Sequence, residues 1–283
     1  MTEVSPSRAA RKYLRSLSLG LRGALEYRIN FLFSLLGAVS PVIIQTALWT
    51  CLYAPGPGGA SATGSADTLF GYTYAQMLGY TVIANIVSRL VRTGFEYDLN
   101  NDIRSGGLDR FLVKPIDYFG FRMAQFIGAK SAEAVFMGAV LAACLAVLAA
   151  VAGLGLSALA VVGFVLALAL AFVLNFLIFW CVGLLGFWLT EIGFLFEAVR
   201  IVIITASGGI FPLSVFGERG EAILRALPFR FTIQFPTEVL CGRVAPGDVA
   251  LGLCVGALWI LPLAALARAV WAVGLRRFVA VGS

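Results

Sequence analysis

Acidic and basic side chains are scarce in this chain, so their positions limit the chemistry open to it. Glu96, Asp98, Asp102, Asp109 and Asp117, with Arg104, Arg110 and Lys114, crowd into the 22 residues EYDLNNDIRSGGLDRFLVKPID, although 60% of the chain is hydrophobic and only 13% charged. Aspartyl chemistry needs two carboxylates facing each other in a sheltered site, but these four aspartates share one polar loop. Histidine is absent, which removes the commonest general base, the usual zinc ligand and every Ser-His or Cys-His relay. Glu133, Glu191 and Glu197 fall near the ends of apolar runs, whereas proton- or ion-coupled carriers keep acids at mid-membrane. No G-x-x-x-x-G-K-[ST] phosphate cradle occurs. Ser105-Gly106-Gly107 and Ser207-Gly208-Gly209 read as turn or packing glycines. Cys51, Cys144, Cys181 and Cys254 lie in apolar runs, Cys241 lies outside them, and no pairing motif joins them. The expected protein has no catalytic residues, no metal site and no cofactor of its own.

One polar stripe does leave the loop. Asn85, Ser88, Arg89 and Arg92 follow at three- and four-residue steps, and Arg92 stands four residues from Glu96, where a helix would pair them. The stripe reads either as a polar path or rigid link running into the apolar body, or as arginines snorkelling to the membrane surface.

The elements that must position these residues are membrane-spanning. A mean hydropathy of +0.93 places the chain among polytopic membrane proteins. A helix crosses about 30 Å of hydrocarbon with about 20 apolar residues, and the runs 30–53, 69–91, 131–151, 157–189, 194–216 and 249–274 give six candidates. The expected fold is therefore an all-α integral membrane protein: one domain over 1–283, six spans, and a kink at Pro262 in the last. The first run is too long for a signal-peptide core and is expected to be an uncleaved anchor. Gly252-x-x-x-Gly256 and Gly138-x-x-x-Ala142 let helix backbones approach closely, within the chain or between copies.

Of 21 Lys and Arg residues, 17 fall before the first span, in 89–130, at Arg200 or after Pro262. The positive-inside rule then puts both termini and the polar loop in the cytoplasm. No basic patch with interleaved aromatics supports nucleic-acid binding. Residues 1–29 place Leu14, Leu17, Leu21 and Leu25 on one face among arginines, the pattern of an interfacial helix on membrane lipids. Between the last two spans, prolines at 212, 228, 236 and 246 divide the chain into pieces too short to cross; 219–227 and 232–240 are expected as short helices, re-entrant or lying on the surface.

Within the loop, 96–105 has helical character, Gly106-Gly107 supplies the permissive backbone that ends a helix, and Leu108, Phe111 and Leu112 recur at helical spacing before Lys114-Pro115. Two short amphipathic helices at a glycine hinge follow. The run Ile103-Arg104-Ser105-Gly106-Gly107-Leu108-Asp109-Arg110-Phe111-Leu112-Val113-Lys114-Pro115-Ile116-Asp117 resembles the I-R-S-G-x-L-x-x-x-L-x-K-P-x-D motif of ABC-2 type exporter permeases with six spans. Glu26-Tyr27-Arg28-Ile29-Asn30-Phe31, Leu227-Pro228-Phe229 and Phe235-Pro236-Thr237-Glu238 extend the resemblance over most of the chain.

The resemblance implies a permease subunit in a bacterial cytoplasmic membrane, paired with a second identical or related permease and with separate P-loop ATPase subunits that bind the ATP and magnesium. It makes the loop a coupling helix between spans two and three, with Asp98, Asp102, Ile103, Arg104, Ser105, Leu108 and Phe111 as ATPase-docking candidates. Asn85, Ser88, Arg89, Arg92 and Glu96 become the translocation path or coupling stripe. The alternative is an ATP-independent channel or carrier.

Overall fold

The computed structural model describes residues 28–54, 68–112, 117–152, 157–189 and 192–278. The expected interfacial helix of 1–29, most of the 54–68 connection, Lys114-Pro115, the 153–156 turn and Glu191 lie outside or almost wholly outside these residues.

Helix α1, Arg28–Tyr53, carries Pro41 and buries Trp49. It packs on α2, Tyr74–Val91. The expected second span starts at residue 69, yet 68–73 form a small antiparallel hairpin, β1 Thr68–Leu69 and β2 Tyr72–Thr73. Phe70 and Gly71, at φ +54° and +78°, make its two-residue turn; positive φ at both central positions is what a tight hairpin requires. The Tyr53 hydroxyl donates to the Tyr72 carbonyl at 2.7 Å and ties the hairpin to α1. Thr73 and Gln76 exchange hydrogen bonds as a capping box, so the helix begins only at Tyr74.

The loop folds as two helices, α3 Phe95–Arg104 and α4 Asp109–Leu112, separated by a turn in which Gly106 takes φ +70°. Helix α5 runs Tyr118–Ala152 and starts thirteen residues before the expected third span. Its pieces Tyr118–Ser131 and Glu133–Ala143 meet at 42°. The central helix α6, Ala158–Gly183, continues as a 3-10 turn, Leu184–Phe187. Helix α7, Gly193–Ala206, has 14 residues, about 21 Å, shorter than the expected 194–216 span. Ser207 ends it: its hydroxyl donates back to the Ile203 carbonyl, and Gly208 follows at φ +78°.

The prolines act as expected between the last runs. Helix α8, Gly217–Ala226, a 3-10 turn Pro228–Thr232, and α9, Gln234–Leu240, follow in order. All seven α9 residues are buried, largely against α6. Then α10, Pro246–Leu258, and α11, Ile260–Leu275, form one 30-residue apolar rod with a break at Trp259. Pro262 offers no N–H to the Leu258 carbonyl, so the helix loosens there. Gly252 and Gly256 face inward: a Cβ at Gly252 would lie 2.3 Å from the Phe235 ring, and one at Gly256 would lie 2.6 Å from Leu170. The two glycines serve packing within the chain.

Among the described residues two rods, Ala158–Phe187 and Pro246–Leu275, are long and apolar enough to cross a membrane, and the bent α5 makes a third if it is one span; Val39–Tyr53 is a shorter apolar helix. The fold is that of a mostly helical membrane protein. Its core has two parts. One gathers Trp49, Met77, Tyr80, Leu174 and Phe235 toward the hairpin end. The other gathers Phe95, Leu99, Leu108, Phe126, Phe176 and Trp180 beneath the polar loop.

Candidate coupling loop and polar cavity

Helix α3 is amphipathic because Phe95, Leu99 and Ile103 recur every four residues. That face lies on α6 and its 3-10 extension. The approach is close: a Cβ at Gly183 would stand 2.8 Å from Leu99, and one at Gly186 would stand 2.7 Å from Asn100. Phe95 stacks on Phe176 with centroids 4.4 Å apart. The opposite face presents Tyr97, Asp98, Asn101, Arg104 and Ser105 to solvent.

The docking candidates therefore divide. Asp98, Arg104 and Ser105 stand on the exposed face, while Asp102, Ile103 and Leu108 are buried against the chain itself. Phe111 is half-buried, its ring 4.9 Å from Tyr118 and 5.0 Å from Phe121.

Asp102 belongs to a clamp built by the start of α5. Arg122 reaches it at 2.5 Å and Asp98 at 3.2 Å. The Tyr118 hydroxyl donates to Asp102 at 2.7 Å and accepts from Arg122 Nε at 3.0 Å. Burial raises the Tyr118 pKa above its ordinary value, against the pull of Arg122 and with support from Asp102. Burial opposes the Arg122 charge, but Tyr118 and Asp102 outweigh it and hold its pKa above the usual value. The phenol stays protonated and the guanidinium charged, so all three groups hold complementary roles.

A second clamp holds the joint between α2 and α3. The last carbonyls of a helix lack partners within it, and residues 92–94 are not helical. Three other helices supply the missing donors. Asn175 of α6 donates to the Val91 carbonyl at 2.5 Å, Arg200 of α7 to that of Thr93 at 3.0 Å, and Lys130 of α5 to that of Arg89 at 3.0 Å. Arg200 also pairs with the fully buried Glu96. That contact corrects the expected Arg92–Glu96 pair, which required an unbroken helix through 92–94. Arg89 pairs with Glu133 at 2.8 Å, and Lys130 meets the other Glu133 oxygen at 2.6 Å.

Beside this joint opens a cavity of about 310 Å³. Asn85, Ser88, Arg89 and Arg92 all line it, so the polar stripe does face one space; Arg200 and Asn175 close its wall. Asn85 donates to Gln45 and to the Thr81 carbonyl, each at 2.8 Å. Ser88 Oγ and Thr93 Oγ1 have no hydrogen-bond partner among the described residues. Glu96 is not among the lining residues but pairs with Arg200, which is.

Sequence reasoning missed Tyr118, Arg122, Asn175 and Arg200 as partners of the loop. The only signal was that Arg122, Asn175 and Arg200 are polar residues in or beside apolar runs, where such residues are costly without partners. No group of three or more metal-ligating side chains occurs among the described residues.

Rods long and apolar enough to cross a membrane, a charged loop held on the end of α6 and a polar cavity among α1, α2, α6 and α7 are the features of a membrane protein. The family model of the ABC-2 family transporter proteins matches residues 61–282, and the chain belongs to that family. No curated protein and no solved structure matches the chain. Membership implies a partnership with ABC-type ATPase subunits.

Proposed function

We propose that the chain is the permease subunit of an ATP-binding cassette exporter and that α3, the glycine turn and α4 are its coupling element. The observation that carries this reading is the loop's two-sided construction. One face is fixed by buried ion pairs to α5 and α7, and the other offers Asp98, Asn101, Arg104 and Ser105 to a partner. A merely solvated loop has no need of such bracing.

In this reading six spans cross the membrane: α1, α2, α5 from residue 131 onward, α6, α7 with its extension, and the α10–α11 rod. Both termini and the loop are cytoplasmic, while α8 and α9 form the re-entrant pieces. A second permease copy, identical or related, covers exposed apolar residues such as Phe194, Ile201 and Val202 of α7. Closure of the ATPases pushes α3, and the capped joint at 92–94 passes the movement to α2 and the cavity walls. This chain's part in the chemistry is to seat the partner and to open and close the path.

The test is co-purification of the natively expressed protein with a P-loop ATPase, combined with Arg104→Glu. Charge reversal on the exposed face is expected to lower ATPase retention at least tenfold, since a charge-assisted contact contributes about 1.5–3 kcal/mol, and to leave thermal unfolding unchanged. Recovery without any ATPase, or substrate flux in liposomes holding this chain alone, refutes the proposal in favour of an ATP-independent channel or carrier.

A further inference from the structure

A second cavity, of about 420 Å³, lies away from the polar stripe, between α6 and α11 at the loop end. Its wall is aromatic: Phe119 and Trp180 meet edge to face at 4.9 Å, and Trp271 lies 5.9 Å from Trp180. Ala264 and Ala267, one turn apart on α11, leave the room. Two opposite charges stand at its rim. Arg268 is exposed and makes neither ion pair nor hydrogen bond among the described residues. Asp117 uses one carboxylate oxygen to accept the Gly120 N–H at 2.7 Å and is otherwise open to solvent.

The charges at its rim narrow the ligand. Arg268 stands eight residues before Arg276, about 12 Å along the helix axis. A guanidinium that far inside an apolar rod either snorkels or meets an anion. Indoles favour the headgroup level of a bilayer, and an aromatic face also attracts an ammonium group. The rim thus offers a cation for a phosphate, and a carboxylate beside aromatic faces for an ammonium. A free anion would be repelled by Asp117, and a cationic amphiphile by Arg268.

We infer that this cavity binds a glycerophospholipid with a zwitterionic, ammonium-bearing headgroup. Its phosphate sits on Arg268, its ammonium lies between Asp117 and the indoles, and an acyl chain follows Leu177 and Ala264. The site does not depend on the proposed ATPase docking and would serve to hold α11 against α6 at the membrane surface.

Bromine on an acyl chain quenches a tryptophan that it touches, so lipid contact can be read in the full-length protein in nanodiscs. A minor fraction of dibrominated lipid carries an ethanolamine, choline or glycerol headgroup, and subtraction of the Trp271→Phe signal isolates the cavity. The ethanolamine or choline lipid is expected to quench at about tenfold lower fraction than the glycerol lipid. Quenching by all three lipids weakens about tenfold in Arg268→Gln, as for loss of the one charge-assisted phosphate contact they share, whereas the headgroup preference shifts toward the glycerol lipid in Asp117→Asn. Ala264→Leu, which fills the cavity, abolishes it. Thermal unfolding of Arg268→Gln should match the wild type because the side chain is exposed; if it does not, Ala264→Leu carries the test. Equal quenching by all three lipids in wild type and Ala264→Leu overturns the site. A glycerol-lipid preference that Asp117→Asn leaves unmoved overturns the headgroup assignment. A Trp271-dependent fluorescence change on adding soluble phosphoethanolamine, with no quenching by any brominated lipid, shows a headgroup site and refutes the acyl contact.

Discussion

The Glu96–Arg200 pair is the contact on which the joint between α2 and the loop most depends, and its removal can be followed quantitatively. Glu96 is fully buried, Arg200 is nearly so, and Arg200 also caps the Thr93 carbonyl at 3.0 Å. Arg200→Met keeps the length of the side chain and leaves Glu96 buried without its main partner. Breaking a buried pair from one side costs about 3–5 kcal/mol, whereas replacing both partners by apolar groups of similar volume is often neutral or stabilising. Arg200→Met should therefore lower the melting temperature by on the order of 10 °C, while Glu96→Leu with Arg200→Met should recover most of that loss. The residual deficit reflects the uncapped Thr93 carbonyl, about 1–3 kcal/mol. The double variant is also expected to assemble with the ATPase yet show weakened linkage between hydrolysis and transport, because the link to α7 is gone. Thermal unfolding in detergent of wild type, both single variants and the double variant closes the cycle. The reasoning is refuted if Arg200→Met is no more harmful than Arg225→Met, whose side chain is half exposed, or if the double variant is as unstable as the sum of the singles.

Packing of the last rod gives a sharper steric contrast. Gly252→Leu drives a side chain into the Phe235 ring and should cost about 1–3 kcal/mol, whereas Gly138→Leu, with nothing within 4 Å, should leave the melting temperature unchanged. The Tyr118 clamp predicts a pH effect. Its folded-state pKa is raised, so its contribution is complete below the ordinary tyrosine value near 10 and is lost as the pH climbs toward the folded value. Tyr118→Phe should cost about 1–2 kcal/mol near neutral pH. Its melting temperature should then fall less steeply than that of the wild type above about pH 10.

The parts of the fold that depend on local pattern were legible in the sequence. The helical character of 96–105 matches α3, the permissive Gly106-Gly107 matches its end, and the prolines divide α8 from α9. Boundaries set by tertiary partners were not legible. Nothing in a run of apolar letters says that 68–73 turn back as a hairpin, because that turn is held by Tyr53 from another helix. The short α7 likewise ends where the Ser207 hydroxyl and the Gly208 backbone permit, inside a run that reads as one span. At the site, the stripe from Asn85 to Arg92 was visible as a period and does face one cavity. Its ion pairs were not visible: Arg89 joins Glu133 across 44 residues and Glu96 joins Arg200 across 104. Composition also suggested that charge in the loop meant exposure. Asp102 and Glu96 show the opposite, since a charge buries readily once a cation from another helix meets it.

Under the proposed coupling role, these buried pairs are what would let a loop of two short helices carry force. A helix as short as α3 is marginal by itself, and without outside contacts a push on its exposed face would be absorbed by fraying. Here Arg122 fixes its middle to α5, and Arg200 fixes its first turn to α7. The glycines at 183 and 186 bring its apolar face down onto α6. Displacement of α3 must then displace those three helices or break contacts worth several kcal/mol each. Residues 92–94 between α2 and α3 are not helical, although the Arg92 N–H still donates back to the Ser88 carbonyl, and Asn175, Arg200 and Lys130 donate to the carbonyls of Val91, Thr93 and Arg89 around this joint. That joint can change angle without exposing an unsatisfied carbonyl, provided the three donors move with it. They come from the helices that wall the cavity or adjoin it. Stiffness in the loop and compliance at one capped joint are together what a lever into the membrane requires.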